Sequence, residues 1–599
     1  MLTSRFKSRA SGFLASPASQ CDISRLRCSI RASSSAAGSA ANSAPGSAQS
    51  QGSRNAKSVS SSSTALSIVP WAISNGIQFA KIKPAVFGST QERGVVATFD
   101  IGRNECICSV PAKAALRTYP GCSPALGVAA DMWQQLPWYA QLALVLLSEL
   151  QQGKSSKFAD YSALLPEQVD VPALWSEEEL QQLRCPYFIE QVQQQRQQWA
   201  GLAQQLQPAL SAARITQQQL LWALSVTRSR AFAAPYAAAP LSLAPKALAA
   251  AQVVAAAAWL AAGPAAAAGV ELLGVAAAAG AWFTLQQQLQ SQQQQHAICP
   301  LLDFFNHDGR EQSECELDVW SNAFRVVSTQ QWRQGQQVFI SYGQSSSDVL
   351  LRLYGFVEQG NVHERYLVRS LPDVLVKQEL ASAAAAANSV ELAEVAFTRQ
   401  GIPAAAAAAL ERACRQQQPS ASSTLEGITP FAALSSAARS ACAEAVRLEL
   451  QLLGADQQTL AHDQSVLQAV QQLPAKQQEL EAGQARLQER QAELQQLQEQ
   501  LEQWQQQQQQ QQEEAEAGAA EGSEDGEGRH AAEGEEQQAA WIEVVAAAAA
   551  EVEGMQQQVA ALQQQVADWQ QLLAGQKLLA VQFRLEKQQL LEGLLAQLG

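Results

Sequence analysis

Apolar residues along this chain recur at three different spacings. Val95-Val96-Ala97-Thr98-Phe99-Asp100-Ile101 and Cys106-Ile107-Cys108-Ser109-Val110-Pro111 are strand-like runs separated by Gly102-Arg103-Asn104-Glu105. Two such runs around a turn predict a β-hairpin. Residues 132–152 and 177–210 place their apolar side chains at helical spacing instead. Residues 222–232 predict a helix running into Ser229-Arg230-Ala231-Phe232, and Val338-Phe339-Ile340-Ser341 predicts a strand ending at Tyr342. Beyond Leu371-Pro372 the pattern is almost wholly helical, Ala-rich from 374 to 453.

The third spacing is the heptad. Leu480, Leu487, Leu494 and Leu501 repeat every seven residues, with Leu497 and Trp504 on the accompanying seam. Met555, Val559, Leu562, Val566, Trp569 and Leu573 alternate by four and three. Both are coiled-coil seams, separated by poly-Gln and an acidic, Gly-rich run over 513–536. They predict an antiparallel helical hairpin inserted over 475–575. An intermolecular coiled coil with a partner is the competing reading.

Composition narrows the class. The 599 residues carry a formal net charge of -14 with 16% charged residues, which argues against a general nucleic-acid binder. Ten cysteines without a CxxC pair, and only five histidines, predict neither a zinc site nor a disulfide framework. Residues 1–91 contain one acidic residue, Asp22, against ten basic ones, in a Ser/Ala-rich context. We read residues 1–70 as an organelle transit peptide and linker, chloroplast rather than mitochondrial because serine dominates. Residues 237–295 are Ala-rich, then Gln-rich. Their central part is long enough to span a bilayer, but Gly263-Pro264 interrupts it and alanine inserts weakly. They read as a low-complexity insertion, so no membrane span is expected.

Candidate chemistry concentrates in two motifs. One is Asp303-Phe304-Phe305-Asn306-His307. The other is Gly335-Gln336-Gln337-Val338-Phe339-Ile340-Ser341-Tyr342-Gly343, followed by Leu350, Leu351, Tyr354, Gly355 and Phe356. Together they resemble the catalytic half of a SET-domain protein methyltransferase of the Rubisco large-subunit lysine methyltransferase-like family. The resemblance covers residues 71–375 apart from the insertion. It continues in Leu579-Ala580-Val581-Gln582-Phe583-Arg584-Leu585-Glu586-Lys587, similar to the closing helix of the family's substrate-binding domain, and loosely in residues 457–463, similar to a turn of that domain.

The resemblance implies an α+β fold. A SET β-fold over 71–372, with a knot-like active site and a helical insertion, would precede an all-α C-terminal domain over 373–599. It implies Tyr342 as the catalytic residue and S-adenosylmethionine (AdoMet) as methyl donor, with no metal. Asn306, His307, Asp303, Arg230 and the segment Glu92-Arg93-Gly94 would hold the donor, Arg230 through its carboxylate. Phe232, Tyr354 and Phe356 would wall the channel of the acceptor lysine. That lysine, ordinarily near pKa 10.4, must lose a proton before attacking in line. Two departures stand out. Gln91-Glu92-Arg93-Gly94 replaces a Glu-Gly-hydrophobic-Gly sequence, and Ser347-Asp348 stands where the family often has Ser-Asn.

The expected activity is lysine methylation of a plastid protein, such as Rubisco large subunit or fructose-bisphosphate aldolase, docked by the C-terminal domain. A histidine acceptor is a variant. A non-catalytic scaffold acting through the coiled coil is the alternative of another class.

Overall fold

The computed structural model describes residues 59–60, 68–87, 92–236, 257, 294–318, 321–380, 390–415, 427–454, 457–518 and 527–599. The transit-peptide reading of 1–70, the insertion over 237–295 and the tip of the acidic run therefore lie almost wholly outside the described residues. No helix among the described residues is long and apolar enough to cross a membrane.

The main sheet is assembled from distant segments. Strand β1 (Val59–Ser60) pairs antiparallel with β2 (Ile82–Phe87), and β2 pairs with β3 (Glu92–Ala97) from Phe87 opposite Glu92 to Ile82 opposite Ala97. On its other side β3 meets β11 (Gln337–Ile340), antiparallel. Strand β11 then pairs in parallel with β8 (Asn306–His307), Phe339 opposite Asn306 and Ile340 opposite His307. The order is β1-β2-β3-β11-β8. This parallel pair is the decisive feature of the fold, because it lays the two sequence motifs side by side.

The hairpin expected around Gly102–Glu105 does not form. Strand β4 (Cys106–Pro111) pairs with β10 (Ala323–Val327), which also pairs with β9 (Cys315–Asp318). The physical reason lies in the turn. The N–H groups of Ile101 and Asn104 donate to the carbonyls of Trp332 and Ser328 at 2.8 Å, so the chain is led away into a second sheet. The true partner of β3 is Ile82-Lys83-Pro84-Ala85-Val86-Phe87, which Pro84 disguised. Strand β1 reaches only Val86 and Phe87, so Pro84 occupies an open stretch of edge where its missing N–H costs nothing.

A third sheet joins β5 (Leu116–Thr118), β7 (Gln294–Ile298) and β6 (Ala231–Pro235), in that order. Prolines partition the helical pattern between these sheets. Helix α1 (Trp138–Gln152) starts after Pro137, and α2 (Pro186–Ala212) starts on Pro186, where a missing N–H is no loss. Helix α3 (Gln217–Arg230) opens with a reciprocal capping box between Thr216 and Gln219. It ends at Arg230, and Ala231 begins β6 directly.

Two hydrophobic cores result, and α2 belongs to both. Trp199, Leu206 and Leu210 pack into the core beneath the sheets, while Tyr187, Phe188 and Val192 pack with the C-terminal region. That region is mainly helical, with α4 (Ser436–Leu452) and α7 (Leu578–Leu598), yet it is not all-α. Its segment β13 (Val395–Thr398) pairs with β12 (Arg365–Val368), and β14 (Ile402–Pro403) with β15 (Ile428–Thr429). Alternating burial of Val395 and Phe397 seats the first ribbon on the second core. Such period-2 burial was masked in the sequence by Ala-rich surroundings.

Residues 457–463 form no turn: they open α5 (Gln457–Gly518). With α6 (Glu527–Leu573) this helix makes an antiparallel pair. A Cβ on Gly483 would stand 3.3 Å from Val559, and Arg490 faces Glu551 at 3.9 Å, so advancing along one helix retreats along the other. Val552, Val559 and Val566 are the buried stripe of α6. At the base, Leu572 and Leu573 pack with Val466, Val581 and Leu585, tying the pair to α7.

Candidate active site

The parallel pairing of β8 with β11 places Tyr342 two residues beyond Ile340, the partner of His307. The Tyr342 N–H donates to His307 Nδ1 at 3.1 Å, and the Tyr342 hydroxyl donates to the Phe305 carbonyl at 2.7 Å. The two rings stack at 5.1 Å and 22°. Tyr354 lies 4.7 Å from the Tyr342 ring, and Phe356 lies 6.3 Å from it and 6.0 Å from His307. These four rings form one wall. Burial, reinforced by Tyr354, pushes the Tyr342 hydroxyl well above the ordinary tyrosine range, so it is a neutral donor and not a base. Burial likewise lowers His307 and keeps it neutral against the opposing pull of Glu358.

Asn306 ties this wall to β3, its Nδ2 donating to the Arg93 carbonyl at 2.9 Å. Gly94 is required beside it: a Cβ there would come within 2.8 Å of the Phe87 ring and 2.7 Å of Gln337 Nε2. Glu92 contributes its backbone to the β2–β3 ladder, and its side chain, like Gln91, is outside the described residues.

Behind Asn306 lies a buried charged cluster. Arg230, at the end of α3, pairs with Asp303 Oδ2 at 3.0 Å, and the Tyr161 hydroxyl donates to the same oxygen at 2.8 Å. Arg93 lies with its guanidinium 5.0 Å from the Phe304 ring centroid and donates to the Leu164 carbonyl. Burial opposes the charge on Arg230, but Asp303 and Tyr161 outweigh it and hold the guanidinium protonated. Burial pushes Arg93 down, and the neighbouring Arg230 adds to the effect. Two polar atoms of the cluster, Arg230 Nε and Asp303 Oδ1, are buried with no hydrogen-bond partner. An unpaired buried donor or acceptor costs about 1–3 kcal/mol, and these two, of opposite sign, belong to the same ion-paired residues.

Residues 92–343 match the family described as the SET domain. The chain carries a SET domain. It is 23% identical over 336 residues to the Pisum sativum "Ribulose-1,5 bisphosphate carboxylase/oxygenase large subunit N-methyltransferase, chloroplastic", covering 52% of this chain and 56% of that protein. It is 29% identical over 146 residues to the Arabidopsis thaliana "[Fructose-bisphosphate aldolase]-lysine N-methyltransferase, chloroplastic", covering 23% of this chain and 30% of that one. The chain thus spans about half the length of the first relative and less of the second. A solved structure, the "SET domain of LSMT bound to Lysine and AdoHcy", aligns with a TM-score of 0.43 at 19% identity, over 67% of this chain and 83% of that one.

Tyr342, His307 and Asn306 of the SET domain converge with Tyr354 and Phe356 just beyond it, and Asp303, Arg230, Arg93 and Gly94 adjoin them. Phe232 is the exception. It lies half-buried on β6 opposite Ala297, with no ring contact to the aromatic wall. Two residues that adjoin the site, Tyr161 and Glu358, and one at the joint with the C-terminal region, Lys587, were not singled out from the sequence. Tyr161 carries no motif around it. Glu358, which faces His307 at 3.6 Å, follows Phe356 by two residues, and that adjacency was the available signal. Lys587 lies inside the closing helix, with no local signal of its partners.

Lys587 also accounts for the departure at Asp348. Its fully buried ammonium lies 3.0 Å from Asp348 Oδ1 and 2.7 Å from Glu364 Oε1, and it donates to the Arg365 carbonyl at 2.6 Å. Tyr187 donates its hydroxyl to the same Asp348 oxygen at 3.0 Å, and Ser346 reaches the other at 3.2 Å. An aspartate is accommodated after Ser347 because the last helix supplies its counter-ion. The joint between the two cores therefore begins four residues after Tyr342.

Proposed function

We propose that this protein is an AdoMet-dependent protein-lysine N-methyltransferase acting on a plastid protein of the kind its relatives' names specify, Rubisco large subunit or fructose-bisphosphate aldolase. The observation that carries the reading is the pairing of a neutral, buried Tyr342 hydroxyl, aimed at the Phe305 carbonyl, with the adjoining Arg230–Asp303 cluster.

The amino-acid end of AdoMet offers a carboxylate and an ammonium, which match the orphaned Arg230 Nε and Asp303 Oδ1 in sign. When bound, AdoMet supplies an electrophilic methyl group. The chain's own residues then do three things. Arg230, Asp303, Asn306 and the β3 backbone hold the donor end. The rings of Tyr342, Tyr354 and Phe356 exclude water from around the acceptor nitrogen. The Phe305 carbonyl and the Tyr342 oxygen are fixed polar groups that orient that nitrogen and the departing methyl as charge redistributes. Since burial keeps Tyr342 protonated, the acceptor amine must arrive already neutral; a desolvated channel favours this by lowering a lysine's pKa.

The mainly helical C-terminal region is proposed to dock the acceptor protein, its position relative to Tyr342 being set by the Lys587 joint. A plastid location rests on the Ser-rich, acid-poor N-terminal composition and on the word "chloroplastic" in both relatives' names. The test is incubation of the full chain with radiolabelled AdoMet and a chloroplast extract, followed by mass spectrometry of labelled proteins. Trimethyl-, dimethyl- or monomethyl-lysine on a defined protein is the expected result. Label on histidine would move the reading to the histidine variant, and no label together with no AdoMet binding would end it.

A further inference from the structure

The aromatic wall ends in a carboxylate that the proposed reaction does not use. Glu358 Oε1 accepts the Gly309 N–H at 2.7 Å, and Glu358 Oε2 faces His307 Nε2 at 3.6 Å. Neither Oε2 nor Nε2 has a hydrogen-bond partner, and both atoms are buried. His307 Nδ1 already accepts the Tyr342 N–H at 3.1 Å, so in a neutral ring the proton is on Nε2, directed at the carboxylate. One carboxylate thus confronts two donors. Gly309 admits it, because a Cβ there would stand 2.6 Å from Oε2. The other titratable groups around the ring are Asp308, next in the chain, and His363, whose Nε2 is 3.2 Å from the Gly309 carbonyl.

At 3.6 Å the His307–Glu358 approach exceeds hydrogen-bond range, and closing it takes a shift of about half an ångström. Catalytic hydrogen bonds are often long before a Michaelis complex forms and tighten within it. We propose that Glu358 is the positioning residue of this site, its carboxylate locking His307 in the Nε2–H form so that Nδ1 holds the backbone and ring of Tyr342 in aim. A ring turned to the other tautomer would present N–H to the Tyr342 N–H, two donors facing each other. The tautomer claim stands on geometry alone; its consequence for rate rests on the methyltransferase reading.

Glu358→Gln separates this role from a simple turn cap. A glutamine offers one acceptor where glutamate offers two, so one of the two donors, Gly309 N–H or His307 Nε2–H, loses its partner. The experiment uses the full chain with 15N-labelled histidine, His307 being assigned by its loss in His307→Gln. Wild-type His307 is expected to show the Nε2–H pattern, and Glu358→Gln a mixture of tautomers. Methyl transfer should fall about tenfold to a hundredfold, the range for a hydrogen bond to a charged group, with AdoMet affinity by calorimetry changing less than threefold. An Nδ1–H form in the wild type overturns the proposal without any variant. An unchanged pattern and rate in Glu358→Gln overturns it as well. A wild type that shows the tautomer but no methyl transfer would instead overturn the enzyme reading alone.

Discussion

Two buried charge clusters lie at opposite ends of the same stretch of chain, and they differ in completeness. Around Lys587, every acceptor and donor is paired: two carboxylates, one carbonyl, a tyrosine and a serine close the network. Around Arg230, the ion pair to Asp303 and the Tyr161 hydroxyl are in place, and two polar atoms are left over. Both clusters carry the desolvation cost of buried ions. The first offsets it within the chain, which marks a joint. The second leaves it partly uncompensated at Arg230 Nε and Asp303 Oδ1, the atoms to which the proposed function assigns the donor's amino-acid end. Burial of charge alone does not distinguish the two clusters; the atoms left unpaired at Arg230 and Asp303 do.

The strongest way to break this comparison is Lys587→Met. Removing one partner of a buried ion pair leaves Asp348 and Glu364 facing each other without a counter-ion, a loss of about 3–5 kcal/mol. Calorimetric melting should show a large fall in Tm, and Asp348→Asn added to it should recover part of the loss. If Lys587→Met leaves Tm unchanged, the joint is not holding the two cores together.

Tyr342→Phe tests the binding end at its chemical limit. It removes the hydroxyl that reaches the Phe305 carbonyl and keeps the ring stacked on His307. Turnover should drop about 10²–10³-fold, the usual loss for one preorganised polar group, while Tm and AdoMet affinity stay close to wild type. A wild-type rate would make Tyr342 structural.

Asn306→Ala addresses the link between the site and β3. It leaves the Arg93 carbonyl unpaired and should weaken AdoMet binding by about 1–3 kcal/mol, read by titration calorimetry. Unchanged affinity would detach Asn306 from the donor site.

A smaller effect depends on pH. His296 stacks on Trp138 at 4.0 Å and 4°, and burial lowers its pKa to about 4 from 6.5. Its folded value lies below its unfolded one, so the unfolded chain binds more protons across that interval. Stability is unaffected above about pH 6.5 and falls as pH drops toward about 4, by at most about 1.4 kcal/mol per pH unit from this group. Urea melts between pH 6.5 and 5 should show a shallower slope in His296→Phe. Equal slopes would remove His296 from the account.

The smallest expected effect concerns the antiparallel helices. Replacing residues 476–566 by a Gly/Ser linker keeps Leu572, Leu573 and Val466 at the base, so AdoMet affinity should not change. Loss of affinity in a folded deletion would couple the hairpin to the site.

Much of the site was legible in the chain itself. Asp303, Asn306, His307, Tyr342, Tyr354 and Phe356 lie within two short motifs legible through their family resemblance, and the structure gathers His307, Tyr342, Tyr354 and Phe356 with Asn306 and Asp303 adjoining. The helices announced themselves through their periodicity, broken where Pro137 and Pro186 required. Pairing partners were not legible. Val95–Ile101 and Cys106–Pro111 are adjacent in sequence and go to different sheets, because hydrogen bonds to Ser328 and Trp332 over two hundred residues away draw the connecting turn aside. Asp348 looked like an irregularity until Lys587, far along the chain, supplied its counter-ion.

The sequence by itself determined what acts locally: which segments are helical, where proline or glycine interrupts them, and which side chains can donate, accept or stack. Only the tertiary structure decided which of those side chains share one buried environment. It set Glu358 against His307, Tyr161 against Asp303 and Lys587 against Asp348, and it left Arg230 Nε and Asp303 Oδ1 without partners. The physical reason is that strand pairing and ion pairing depend on distance through space and on exclusion of water. Neither is encoded by any residue's neighbours in the chain.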